Sequence, residues 1–264
     1  MISVNDVKVV PTIFPDQTSQ VWKLDPVKYF HQAVTIEWDF ESESELMHVL
    51  QLVTLIRHNV PDAHLILKLS YLPYARQDKD ISNETTFALH TFFGLMAMAF
   101  DHITVFDPHS THLLDQYFGE SYTVIEPELE ILQAMNGCEG CYPDTICYPD
   151  KGASTRYPFL NAMDSVHMEK TRIQSTGEIT GVELHGEVKD KRVLIVDDLC
   201  DGGRTFIEAA KVLYAAGALE VHLYVSHGIF SAGLWPLHQG GIMKIYTRKG
   251  FISDINQKYE TTNY

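Results

Sequence analysis

The chain has 264 residues, 45% of them hydrophobic and 21% charged, with a mean hydropathy of −0.09, a composition that excludes a disordered tail and a chain of membrane spans. Its formal net charge is −15, from 20 basic and 35 acidic residues. Nucleic acid is therefore excluded as the main ligand, and any bound phosphate has to meet a local pocket of cations or amides.

The four cysteines, at positions 138, 141, 147 and 200, are too few for a disulfide scaffold. Cys138-Glu-Gly-Cys141 has zinc-like spacing, but no second pair follows at a suitable distance, so reduced loop thiols are expected. The opening run Met-Ile-Ser-Val-Asn-Asp-Val-Lys has no basic segment leading into an apolar one. A cytoplasmic protein in a reducing compartment, with no membrane partner, is expected.

In chain order, a helix is predicted over 45–58, where Leu46, Val49, Leu50, Val53 and Ile56 recur at helical spacing and Ser42 with Glu45 reads as a capping box. A second helix runs from Glu84 to about Phe100 behind Asn83 as cap. Its Phe87, Leu89, Phe92, Phe93, Leu95 and Met96 are too broadly apolar for one stripe, which suggests burial or a subunit contact and hence self-association. Strand-like runs at 64–70, 102–107, 122–126, 145–148, 165–169, 192–198, 221–226 and 243–247 alternate with amphipathic segments. That pattern belongs to parallel sheets covered by helices. The Gly/Cys/Pro-containing stretch 136–144 divides the strands into two groups, so the expected domains are 1–135 and 136–264.

The most informative stretch is Arg192-Val-Leu-Ile-Val-Asp-Asp-Leu-Cys-Asp-Gly-Gly-Arg-Thr-Phe206, an apolar strand that ends in two carboxylates and runs through glycines into a helix. Such a turn exposes backbone N–H groups at a helix N-terminus, a ready anion site. Asp197 and Asp198 beside it suit hydroxyls, so a ribose phosphate fits. Asp201 could equally serve as a plain helix cap, and both readings stay open at this point.

These residues resemble the phosphoribosyl-pyrophosphate loop of type I phosphoribosyltransferases, and more closely that of the ribose-phosphate pyrophosphokinases, also called PRPP synthetases. Further segments match the second family in the same order. Tyr71-Leu-Pro-Tyr-Ala-Arg-Gln-Asp-Lys79 is similar to its ATP-binding loop, and Phe106-Asp-Pro-His109 to its Asp-Leu-His magnesium segment. Tyr148-Pro-Asp-Lys-Gly-Ala-Ser-Thr-Arg156 resembles its Ser-Pro-Asp-x-Gly segment, and Ser226-His-Gly-Ile-Phe-Ser231 its Thr-His-Gly-Ile-Phe-Ser. His167-Met-Glu-Lys-Thr-Arg172 resembles its catalytic flexible loop. The resemblance covers about residues 43–248.

The resemblance implies two pseudo-symmetric phosphoribosyltransferase-like α/β domains, with ATP on the N-terminal side and the ribose phosphate on the C-terminal domain. It implies a magnesium-dependent transfer of the diphosphoryl group of ATP to the anomeric hydroxyl of ribose 5-phosphate, releasing AMP. Arg76, Gln77, Asp78, Lys79 and His109 would contact ATP, and His109 with Asp150 would hold Mg2+ directly or through water. Lys170 and Arg172, on a mobile loop with Gly177 and Gly181, would neutralise charge on the transferred group. Asp197 and Asp198 would accept the ribose hydroxyls, while Asp201, Gly202, Gly203, Arg204 and Thr205 would wrap the 5-phosphate. A homo-oligomer, dimer or hexamer, goes with the family.

Two departures stand out. The family's loop usually reads Asp-Thr-x-Gly-Thr, and here Gly202 replaces a hydroxyl donor while Arg204 adds a forked cation. That pair suits a diphosphate, which makes ADP-ribose an alternative acceptor in the same chemistry. The family's first segments are also not recognisable in residues 1–40, where Trp38 or Phe40 could stack on adenine or simply fill a core. A phosphoribosyltransferase and a catalytically silent regulatory homologue remain competing readings. The segment Arg76–Lys79 weighs against the first, and Lys170 with Arg172 against the second.

Overall fold

Runs of β-branched residues and amphipathic runs build two separate cores. The computed structural model describes residues 1–22, 24, 32–80, 82, 84–136, 143–172 and 179–252. It divides into two compact units, Met1–Glu126 and Pro127–Glu260.

In the first unit, Ile2–Val4 (β1) and Val7–Val9 (β2) form a hairpin whose turn residues Asn5 and Asp6 both take positive φ, 47° and 64°. Thr12–Ile13 (β3) and Ser19–Gln20 (β4) form a second, small hairpin. Ala33–Trp38 (β5) pairs antiparallel with β1 and parallel with His64–Leu69 (β6). His102–Phe106 (β7) and Tyr122–Ile125 (β8) extend the parallel part, in the order β2-β1-β5-β6-β7-β8. Helices Ser44–Asn59 (α1), Ala88–Ala99 (α2) and His112–Phe118 (α3) supply the rest of one core, with Val49, Leu52, Ile56, Phe93 and Met96 fully buried beside Val34, Leu67 and Ile103.

Two expectations change here. The capping box at Ser42 is not formed: α1 starts behind Glu43 without a side-chain cap. Oε2 of Glu45 instead accepts hydrogen bonds from Trp38 Nε1 and the Glu41 N–H, both at 2.8 Å, so a buried indole has taken the carboxylate. Helix α2 begins at Ala88, not Glu84, and the proposed cap Asn83 lies outside the described residues. Its broad apolar face is core: Leu89, Phe92, Phe93 and Met96 are buried, and Phe92 packs on Trp38 and Tyr74 at 6.2 and 5.8 Å between ring centroids. Phe87 and Leu95 of the same set are half-buried.

The second unit starts with Glu128–Asn136 (α4), followed by Thr145–Tyr148 (β9), Lys151–Arg156 (α5), Ser165–Arg172 (β10), Ile179–His185 (β11) and Arg192–Cys200 (β12). Arg204–Ala215 (α6), Glu220–Gly228 (β13), Trp235–Gln239 (α7), Ile242–Thr247 (β14) and Gly250–Phe251 (β15) complete it. The sheet runs β11-β10-β9-β12-β13-β14-β15, parallel from β10 to β14 and antiparallel at both edges. Strands β12 and β13 are buried almost throughout, as strands covered on both faces must be.

The break between the units falls at Glu126/Pro127 and not at 135/136, because Ile131 and Ala134 of α4 pack in the second core with Ile146, Tyr157 and Leu160. Cys147 and Cys200 are free buried thiols, and Cys138 and Cys141 lie outside the described residues.

Candidate active site

In the second unit the chain goes from β9 to β10 on one side and from β12 to β13 on the other, while β9 and β12 are neighbours. That is a topological switch point, where open α/β sheets bind ligands beyond the carboxyl ends of the strands. Two sequence-predicted segments emerge there: Asp150 just after β9, and Asp197 and Asp198 near the end of β12.

The glycine turn then delivers helix α6. Its N-cap is Gly203, with φ of +77° and no side-chain cap, so Asp201 is not the cap that sequence allowed. The Phe206 and Ile207 N–H groups donate to the Gly203 carbonyl at 3.1 Å, and the amides of Arg204 and Thr205 precede those first bonds. Asp201, Gly202, Arg204 and Thr205 are exposed, whereas Gly203 is buried. The turn is fastened from the residues just after β13, since the N–H groups of Ile229 and Phe230 donate to the Cys200 carbonyl at 2.8 and 3.2 Å. The result is a row of outward amides at a positive helix end next to two carboxylates, able to grip an anion and hydroxyls together.

The acids are held from the neighbouring strand. Asp150 caps α5 by accepting the Ala153 N–H at 3.0 Å, and at the last turn of that helix Arg156 reaches across to β12. Nη1 of Arg156 lies 3.2 Å from Oδ1 of Asp197 and 2.7 Å from Oδ1 of Asp198. All three side chains are largely withdrawn from water, and that of Asp198 is only 2% exposed. Burial opposes the charge on Arg156, but Asp198, Tyr157 and Asp197 outweigh it and hold the guanidinium firmly protonated. Burial and the neighbouring Asp198 push the Asp197 carboxyl up to about 8, against the pull of Arg156. Arg156 lies within the segment Tyr148–Arg156, whose resemblance implies no role for it. The one available signal was a lone arginine closing a short helix that opens on an aspartate cap.

In the first unit the two remaining segments follow the carboxyl ends of adjacent strands, residues 71–79 after β6 and 106–109 at the end of β7. Among the non-glycine residues with positive φ, Tyr74 (+63°), Asp107 (+38°) and, in the second unit, Phe230 (+49°) sit inside the motif segments. Such backbone persists only where its surroundings hold it, and it gathers at functional sites. Tyr74 is anchored by donating to Glu43 Oε1 at 2.7 Å and accepting the Gln77 N–H on its carbonyl at 2.8 Å. The bend leaves Arg76, Gln77 and Lys79 exposed and buries Asp78. His109 is half-buried, and Trp38 is buried, so Trp38 is a core residue and not a base platform.

Lys170 and Arg172 belong to a paired strand and not to an unpaired loop: Lys170 faces Val182 and Arg172 faces Ile179 in the register of β10 with β11, with an irregularity after Thr171. Pairing continues because His167, Met168 and Glu169 already face His185, Leu184 and Glu183. The side chains of Lys170 and Arg172, and Gly177 altogether, lie outside the described residues.

For magnesium, no three His, Cys, Asp or Glu side chains form a ready-made cluster among the described residues. Asp150 uses Oδ1 for its cap, which leaves its other oxygen outside that bond. A single carboxylate suits an ion carried mainly by substrate phosphates and water, so Asp150 fits magnesium.

A model of the phosphoribosyl transferase domain matches residues 162–234, which include β12, the glycine turn and α6. The ribose-phosphate pyrophosphokinase of Pyrococcus furiosus is 28% identical over 206 residues, 76% of this chain and 72% of its own. That of Sulfurisphaera tokodaii is 27% identical over 259 residues, 94% of this chain and 86% of its own. The crystal structure of the phosphoribosylpyrophosphate synthetase from Mycobacterium smegmatis superposes with a TM-score of 0.74 at 21% identity, covering 92% of this chain and 81% of that one. The α/β architecture of both units is thus that of this fold.

Proposed function

We propose that this chain, a homologue of ribose-phosphate pyrophosphokinases over most of its length, transfers the diphosphoryl group of ATP to the anomeric hydroxyl of ribose 5-phosphate. The observation that carries this reading is the placement of two buried acids and an uncapped glycine turn together at the switch point of the second unit.

Asp197 and Asp198 orient the sugar through its hydroxyls, and the amides of Arg204 and Thr205 with the Thr205 hydroxyl hold the 5-phosphate. Arg76 and Gln77, presented by the strained bend at Tyr74, take the ATP phosphates as forked and neutral donors. The anomeric oxygen forms a bond to the β-phosphorus as the bond from that phosphorus to the α-phosphate bridging oxygen breaks, AMP leaving and the hydroxyl proton passing to solvent. Lys170 and Arg172 neutralise charge that builds on the transferred group, the main demand of such a reaction. Asp150, with His109 through water, would hold magnesium, which supplies charge neutralisation on the triphosphate when bound. The test is AMP formation from ATP that depends on ribose 5-phosphate and Mg2+ and releases no inorganic phosphate. ATP binding without AMP under every acceptor would make the chain a silent regulatory homologue.

A second acceptor is favoured by one observation. A methyl group built on Gly202 would meet nothing within 4 Å, and Arg204 stands exposed at the start of α6. That open space beside a guanidinium suits the second phosphate of ADP-ribose. Turnover with each acceptor decides, and Arg204→Ala should lower ADP-ribose turnover more than ribose 5-phosphate turnover. Equal or better use of ribose 5-phosphate by the native chain removes the second reading.

A further inference from the structure

The two acids at the end of β12 come with a cation already built in. Arg156 is contributed by a different element, the short helix after β9, and one of its nitrogens contacts both Asp197 and Asp198. The guanidinium offsets at least half of the negative charge that the two acids can carry, so much of the pair's attraction for a divalent cation is already met by the protein. An ion bound directly to these carboxylates would also lie within a few ångströms of a fixed positive group. Neutral hydroxyls meet no such penalty, because they donate to carboxylate oxygens without adding charge.

We infer that Arg156 is a positioning residue which supplies the counter-charge of the acid pair, so that Asp197 and Asp198 take the sugar hydroxyls directly and not through a bound divalent cation. The inference rests on the sugar-phosphate reading of the site and adds to it how the sugar is recognised. The geometry supports a fixed arrangement. Asp150 clamps the first turn of α5 through Ala153, and Ala153 is fully buried, so the helix that carries Arg156 is anchored at its start. At its other end, the Arg156 guanidinium lies 5.9 Å from the centre of the Tyr157 ring, and Tyr157 is itself fully buried. The backbone N–H of Asp198 donates to Asp197 Oδ1 at 3.0 Å, which pins the Asp197 carboxylate to the main chain of β12.

Calorimetric titration of the full chain with ribose 5-phosphate, in EDTA and then in Mg2+, tests this without any turnover. The native chain should bind with the same affinity in both. Arg156→Gln should bind about tenfold or more weakly in EDTA, the loss expected when a buried charge is left without its partner. Mg2+ or millimolar guanidinium should restore part of that loss, which a merely misfolded variant would not show. Arg156→Lys, which keeps the charge without the fork, should fall between. Native binding that requires Mg2+, or Arg156→Gln with native affinity in EDTA, overturns the inference while leaving the sugar-phosphate reading intact. No binding of ribose 5-phosphate by the native chain under either condition overturns that reading, and the inference with it. The native titration alone decides the matter should Arg156→Gln not fold.

Discussion

Gly203 faces Leu237 so closely that a methyl group built on it would lie 2.7 Å from Leu237 Cδ2, in a backbone conformation with φ of +77°. Two independent reasons therefore reserve this position for glycine, and it is the position that aims the amides of α6. Gly203→Ala should cost about 1–3 kcal/mol of stability and lower acceptor affinity with it. Gly202→Ala is the control: it is exposed, its added methyl meets nothing within 4 Å, and its thermal midpoint should stay near native. Equal midpoints for the two variants would contradict this account of the turn.

The strand ends were legible in sequence because a fully buried parallel strand is a continuous apolar run, and 193–196 is one, stopping at two acids with glycines beyond. The glycine turn was legible as a turn, but not which residue caps the helix: Asp201 is a good cap by type, and Gly203 takes the place because its φ of +77° suits glycine. Arg156 was not, because its partners are distant in sequence and meet it only through the β9–β12 pairing. Glu45 was misread for a similar reason. Locally it looks like the third residue of a capping box, whereas an indole on β5 offers it a buried donor. The pairing of Lys170 with Val182 was also hidden, since residues that alternate polar and apolar beside glycines read equally well as loop or edge strand.

The Glu45 contact makes its own prediction. Its carboxylate accepts from the Trp38 indole N–H and the Glu41 amide, and it lies 3.2 Å from the terminal ammonium of Met1. Glu45→Ala leaves a fully buried indole donor without a partner, which should cost about 1–3 kcal/mol and alter Trp38 fluorescence. Glu45→Gln retains an acceptor and should lose less. Denaturant midpoints that rank the two variants the other way would show that the indole bond matters little.

The acid pair makes stability depend on pH in a direction opposite to that of ordinary carboxylates. Burial, followed by Asp198, lifts Asp197 from 3.8 to about 8, so between those values the folded chain retains a proton that the unfolded chain has released. By linkage, the stability associated with that proton is greatest below the lower value and declines as pH rises through the window. Asp197→Asn has no such proton. The difference in urea midpoint, native minus variant, should therefore fall steadily from about pH 5 to about pH 8. A difference that rises over this range would mean that Arg156 wins and that Asp197 is held ionised.

Lys170 offers the sharpest test of how the chemistry is driven. Its backbone is paired with Val182, so truncating the side chain should leave β10 and β11 in register. If its ammonium meets charge that exists only as the β-phosphorus is attacked, it stabilises the transition state and adds little to ground-state binding. Lys170→Ala should then lower kcat about 100- to 1000-fold with KM for ATP nearly unchanged. Should KM rise while kcat holds, the cation serves ATP binding instead, and charge neutralisation during transfer must fall to Arg172. Lys170→Arg separates charge from geometry, because it preserves the first and alters the second. Recovery of most of the rate by arginine would show that a positive charge at this place on the hairpin is sufficient.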